Sequence, residues 1–112
     1  MNGVIYARYS SEKQKEESIE GQLRECKAFA KRNDIHIIDT YIDRALSAKT
    51  DNRSSFQKMI KDSAKKSFDV ILVWKLDRFA RNRYDSAINK AKLKKNGVRV
   101  ISAKENITDD AS

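Results

Sequence analysis

The chain holds three glycines, one cysteine and one histidine, and none of its apolar runs approaches the roughly 18 residues needed to span a bilayer. The three glycines, Gly3, Gly21 and Gly97, stand too far apart to build either a GxxxxGK[ST] phosphate loop or a GxGxxG dinucleotide turn. Cys26 has no internal disulfide partner, and no signal-peptide pattern opens the chain, so a reducing, cytoplasmic setting is expected. His36 lies inside an apolar strand pattern and reads as structural or solvent-facing, which leaves a Ser-His-Asp triad without its base. There is no HExxH, no paired Cys/His spacing and no dense carboxylate cluster, so a dedicated metal site is not expected.

What is abundant is positive charge. The formal net charge is +8, and the segment from Lys75 to Arg99 contains nine Lys or Arg against Asp77 and Asp85, or +7 of that total. No lipid-facing apolar stripe accompanies this excess, so it points to a phosphate backbone rather than a membrane. A solvated face that keeps the protein soluble is the plainer alternative, and it suits Lys90, Lys92, Lys94 and Lys95 best.

Apolar, β-branched runs at Gly3–Tyr9, Ile35–Ile42, Phe68–Trp74 and Val98–Ile101 read as four strands. Helical spacing fills the gaps, first with Ile19, Leu23, Cys26 and Ala30, then with Phe56, Met59, Ile60 and Ser63. A third stripe joins Ala80, Tyr84, Ala87, Ile88 and Ala91. Asn33-Asp34 ends the first helix and Asn96-Gly97 the third. The order β-α-β-α-β-α-β predicts an open α/β fold with a mainly parallel sheet of four to five strands and helices on both faces. Ligand sites in such folds collect outside the carboxyl ends of the strands.

Polar residues do gather after the strands: Arg8, Ser10 and Ser11 after the first, Asp43 to Ser47 and then Arg53 after the second, Lys75, Asp77, Arg78 and Arg81 after the third. A serine among arginines suits phosphoryl transfer, since guanidinium forks stabilise the extra charge on an attacked phosphodiester without a metal. Side chains alternate along a strand, so Ser10 shares a side with Arg8 while Ser11 turns away. Ser10 is the expected nucleophile and Ser11 a turn residue. Two rival classes fit less well: a response-regulator-like binding module would need an acidic or cofactor-holding rim, and a metal-dependent nuclease would need clustered carboxylates.

Four stretches in order, Arg8-x-Ser10, Ser18-Ile19-Glu20-Gly21-Gln22, Ser47 to Arg53, and Lys75-Leu76-Asp77-Arg78-Phe79-Ala80-Arg81, resemble the catalytic domain of the serine recombinases of the resolvase/invertase superfamily. The phrasing FDVILVWKLDRFARN is more similar to the large serine recombinases, phage integrases and transposases, than to the small resolvases. The resemblance implies that Ser10 attacks a DNA phosphodiester, forms a 5′-phosphoserine link and releases a 3′ hydroxyl, with strand exchange and religation to follow. It implies no cofactor, no metal and a bacterial or phage-encoded protein that integrates or excises a mobile element.

Arg8, Arg53, Arg78 and Arg81 match the family's phosphate-contacting arginines, Asp77 its aspartate, and Gln22 and Ser47 its supporting polar residues. Gln14 extends the match into a loop longer than that of the small resolvases. Asp77 either transfers a proton to the leaving oxygen or orients an arginine, the second being favoured because a carboxylate among guanidinium groups stays ionised. Lys75 and Arg83 either extend the phosphate surface or begin a solvated helix. Partners implied are double-stranded DNA and further copies of the protein, a dimer on each site and a tetramer in the synapse. Residues 1–112 are expected to form one catalytic domain, with the DNA-recognition region absent, Thr108 to Ser112 beginning the next helix, and little recombination by this chain alone.

Overall fold

The computed structural model describes residues 1–10, 19–45, 54–75, 83–104 and 107–108, with the backbone alone described at 9–10, 44–45, 83–86 and 107–108. Strand β1 (Asn2–Ser10) leads to helix α1 (Ile19–Arg32), β2 (His36–Ala45), α2 (Ser54–Asp62) with one 3-10 turn at Ser63–Lys65, and β3 (Val70–Val73). Helix α3 (Arg83–Lys95), β4 (Arg99–Ser102) and β5 (Ile107–Thr108) complete the order. The sheet runs β2-β1-β3-β4-β5, with β5 antiparallel to β4 and the other neighbours parallel.

Alternation along the central strands divides the core. Ile5, Val70, Leu72 and Ile101 face α1 and pack with Cys26, Phe29 and Ala30. Val4, Tyr6, Ile71, Val73 and Val100 face the other way and pack with Phe56, Met59 and Ile60 of α2 and Leu93 of α3. Strand β3 is buried along its whole length, as its continuous VILV run requires. The first crossover carries the chain from β1 to one side and the next carries it back past β1 to β3, so the carboxyl ends of β1 and β3 flank the reversal point of the sheet.

The helix stops follow the turn chemistry. Asp34 takes φ 59° and Gly97 φ 77°, both left-handed. The next amides return to the preceding helices, Ile35 N to Ala30 O at 2.8 Å and Val98 N to Leu93 O at 2.8 Å.

Strand β2 runs to Ala45 rather than ending at Ile42, because β1 continues beside it as far as Ser10. Strand β3 is shorter than its apolar run, although Phe68 and Trp74 stay buried at its ends. Register between β1 and β2 slips after Gly3, which pairs with Ile37 while Val4 pairs with Asp39, leaving Ile38 as an extra residue on the outer strand. A bulge of this kind twists an open edge away from further pairing. Thr108 pairs in β5, and the expected helix start beyond it lies outside the described residues.

The expected face of α3 is corrected. Ala87 and Ala91 are exposed, as is Ile88, while Asn89 and Leu93 are buried. The buried line lies about 170° around the helix from the centre of the Ala87, Ile88 and Ala91 stripe, nearly on the opposite side. Leu93 fills the space between α2 and β4 better than two alanine methyls could, and its insertion decides the rotation.

Candidate functional site

Strand β3 pairs with β1 only as far as Tyr6, opposite Val73, so the backbone of Arg8 extends beyond that ladder. A buried side chain takes the vacant side. Gln22 of α1, with no exposed surface, donates from Nε2 to Arg8 O at 3.0 Å and accepts from Arg8 N at Oε1 at 3.3 Å. The amide thereby replaces a missing strand and satisfies both polar groups of one residue. On its other edge Arg8 lies opposite Asp43, and Ser10, the last residue of β1, lies opposite Ala45.

Asp43 is 8 % exposed and accepts three hydrogen bonds. Tyr6 Oη donates to Oδ2 at 2.8 Å, Ser55 N to Oδ1 at 2.9 Å and Phe56 N to Oδ2 at 3.0 Å. The last two are orphan amides of the first turn of α2, so a strand carboxylate caps a helix from outside it. The Tyr6 and Phe56 rings meet edge to face at 5.2 Å. Asp43 therefore joins β1, β2 and the start of α2, and Arg53 immediately precedes that start in the chain.

At the exit of β3, Trp74 is buried and its Nε1 donates to Glu25 Oε2 of α1 at 2.8 Å. Its carbonyl accepts from Ser102 Oγ at 3.2 Å and Lys104 N at 2.9 Å. The Lys75 ammonium sits over the Trp74 ring, 4.8 Å from its centre. The half-buried Lys75 thus belongs to this exit rather than to a solvated helix start.

The structure brings Arg8 and Gln22 into contact and sets the Ser10 backbone two residues further along β1. Gln14, Ser47, Arg53, Asp77, Arg78 and Arg81 lie outside the described residues, and Arg83 opens α3 with only its backbone described. Tyr6 and Asp43 are the residues sequence reading missed. Asp43 stood in a polar cluster following the second strand, whereas it lies within β2. The available signal was a tyrosine inside the apolar run of β1, whose buried hydroxyl needs an acceptor.

Cys26 lies in the core, its thiol pushed up to about 12 by burial and then by the neighbouring Glu25 charge, so it stays protonated at neutral pH. His36 is exposed at the opening of β2, the edge away from Arg8 and Ser10. Among the described residues, no three or more His, Cys, Asp or Glu side chains converge as a metal cluster would, and no helix is long and apolar enough to cross a membrane.

Comparison with known proteins adds an independent line. The family described as Resolvase, N terminal domain, matches residues 3–112. The chain is similar to the N-terminal catalytic domain of TP901-1 integrase, with a TM-score of 0.82 and 31% identity over 100% of this chain and 84% of that one. A resolvase family site-specific recombinase from Streptococcus pneumoniae superposes with a TM-score of 0.86 and 32% identity over 100% of this chain and 78% of its own. The C-terminal catalytic domain of ISC1926 TnpA, an IS607-like serine recombinase, follows at 0.75 and 27%, over 92% and 70% of the two chains. No curated protein matches the sequence.

Proposed function

The chain belongs to the resolvase family of serine recombinases, DNA-binding, oligomer-forming enzymes of site-specific recombination, and we propose that Ser10 is the nucleophile of this catalytic domain. Its Oγ forms a bond to phosphorus as the bond from phosphorus to the 3′ oxygen breaks. The serine proton leaves and the 3′ oxygen gains one, so the step is balanced, and the phosphoserine link conserves the energy for religation by the reverse attack. Arg8, Arg53, Arg78 and Arg81 neutralise the charge that builds on the phosphoryl oxygens. Asp77 orients one of them, Gln22, Ser47 and Gln14 support the site, and Lys75 and Arg83 extend the phosphate surface.

The observation that carries this reading is the buried amide clasp on Arg8. A core glutamine committed to one strand backbone holds the end of β1 rigid at the reversal point of the sheet, where a nucleophile two residues on requires a fixed base. The full reading includes a dimer on each DNA site, a tetramer in the synapse, action in the cytoplasm of a bacterial host, and residues 1–112 as one catalytic domain.

The test is incubation of the full-length protein with DNA carrying its site, followed by denaturation. A covalent protein–DNA adduct should form without added metal, vanish in Ser10→Ala and persist in Ser11→Ala. An adduct that survives the first change, or requires metal, removes the assignment.

A further inference from the structure

Helix α1 touches both strand exits at the reversal point. Gln22 clasps the backbone of Arg8, and Glu25, one turn along and on the same side of the helix, accepts the indole N–H of Trp74. The two contacts are made to different strands, β1 and the exit of β3, and neither is a helix cap or part of the sheet ladder. From Trp74 the chain continues through Lys75 to Asp77 and Arg78.

We propose that Glu25, acting through Trp74, is a positioning residue that fixes the exit of β3 against the nucleophile strand; the inference rests on the recombinase reading above. Trp74 is 5 % exposed, so its indole N–H needs a buried acceptor, and a carboxylate is a strong one. The ring could be buried in several orientations by apolar contact alone, and the hydrogen bond to Glu25 selects one. The Trp74 carbonyl accepts from Ser102 at the end of β4 and from Lys104 just beyond it, so the backbone is constrained beside β4 and the side chain by α1. The Lys75 ammonium on the ring then inherits that orientation. Gln22 and Glu25 share one helix, which converts two separate strand ends into a single spacing between the end of β1 and the exit of β3.

The test compares Glu25→Ala, Glu25→Gln and Trp74→Phe in the full-length protein, reading single-turnover adduct formation, DNA affinity and thermal midpoint. Misplacement of reacting groups by about an ångström costs on the order of 10- to 100-fold in rate. Glu25→Ala and Trp74→Phe should slow adduct formation by roughly that factor, with DNA affinity within about threefold of the unaltered protein. Glu25→Gln keeps an oxygen acceptor for the indole and should restore the rate.

Trp74 is the single tryptophan of these 112 residues, so emission from the 112-residue chain, measured beside the full-length assays, reports the ring directly without DNA. Glu25→Ala should shift the emission, and Glu25→Gln should leave it in place. Normal adduct rates in both Glu25→Ala and Trp74→Phe would overturn the inference, as would a Glu25→Gln variant as slow as Glu25→Ala. Absence of any Ser10-dependent adduct in the unaltered protein would instead overturn the recombinase reading, which separates the two failures.

Discussion

Helices α1 and α3 cover opposite faces of one sheet, and they relate to their own sequences differently. The stripe of α1 and its buried side coincide through Ile19, Cys26 and Ala30, with Phe29 beside them. In α3 the Ala87, Ile88 and Ala91 stripe is exposed while Asn89 and Leu93 enter the core. The buried side of α1 carries Ile19 and Phe29, whose burial is worth about 1.5–3 kcal/mol each, with Leu23 packed at its edge, so its rotation is set locally. Alanines offer little area, and α3 is rotated by one large residue and by its junction with α2, where Asn96 Nδ2 donates to Ser63 Oγ at 2.9 Å. A helix with a weak apolar face takes its orientation from its neighbours, and a helix with a strong one can spare polar positions, such as Gln22 and Glu25, for the site.

Helix α2, held by a strand carboxylate, is the extreme case and carries the largest expected effect. Asp43→Ala should destabilise the fold by roughly 3–5 kcal/mol, since three donors, two of them buried, lose their acceptor, read from the midpoint of urea unfolding. Leu93→Ala should cost about 2–4 kcal/mol in the same measurement, and a loss below about 1 kcal/mol would contradict the rotation of α3 described above.

Gln22→Ala strands one donor and one acceptor of Arg8 and should cost about 2 kcal/mol. It should also lower the yield of the covalent adduct more than Leu93→Ala does when both variants are assayed well below their thermal midpoints.

Burial of Cys26 makes a pH prediction whose sign follows from its raised value. The thiol titrates near 9.0 when free and near 12 when folded, so below pH 9 both states keep the proton and stability does not depend on it. Above pH 9 the unfolded chain ionises first and stability falls, by about 1.4 kcal/mol at pH 10. Tyr41, raised first by burial and then by its hydrogen bond to Asp62, adds to the decline above pH 10. Cys26→Ala should flatten the first part of the slope in urea midpoints taken from pH 8 to 10. The smallest effect is expected on the exposed stripe of α3, where Ile88→Ser should change stability by no more than about 0.5 kcal/mol.

Much of the architecture was legible. Four apolar runs and the turns at Asn33-Asp34 and Asn96-Gly97 were enough to order the elements as far as β4, make the sheet mainly parallel and put Arg8 and Ser10 at a strand's carboxyl end. The site was legible as residue types after strands, and Gln22 was named, but through family resemblance rather than through its contact. Asp43 escaped because an aspartate after an apolar run looks like a turn residue, and its acceptor role exists only once α2 starts beside it.

Order, strand direction and helix ends were determined by the sequence itself, because they depend on periods of two and 3.6 residues and on left-handed turn positions, all local properties. Tertiary structure alone decided which polar groups meet. Arg8 and Gln22 stand 14 residues apart, Tyr6 and Asp43 37, and Glu25 and Trp74 49. No local period encodes such pairings. They arise because a buried donor must find an acceptor, and the packing of α1 and α2 against β1 and β3 determines which one is within reach.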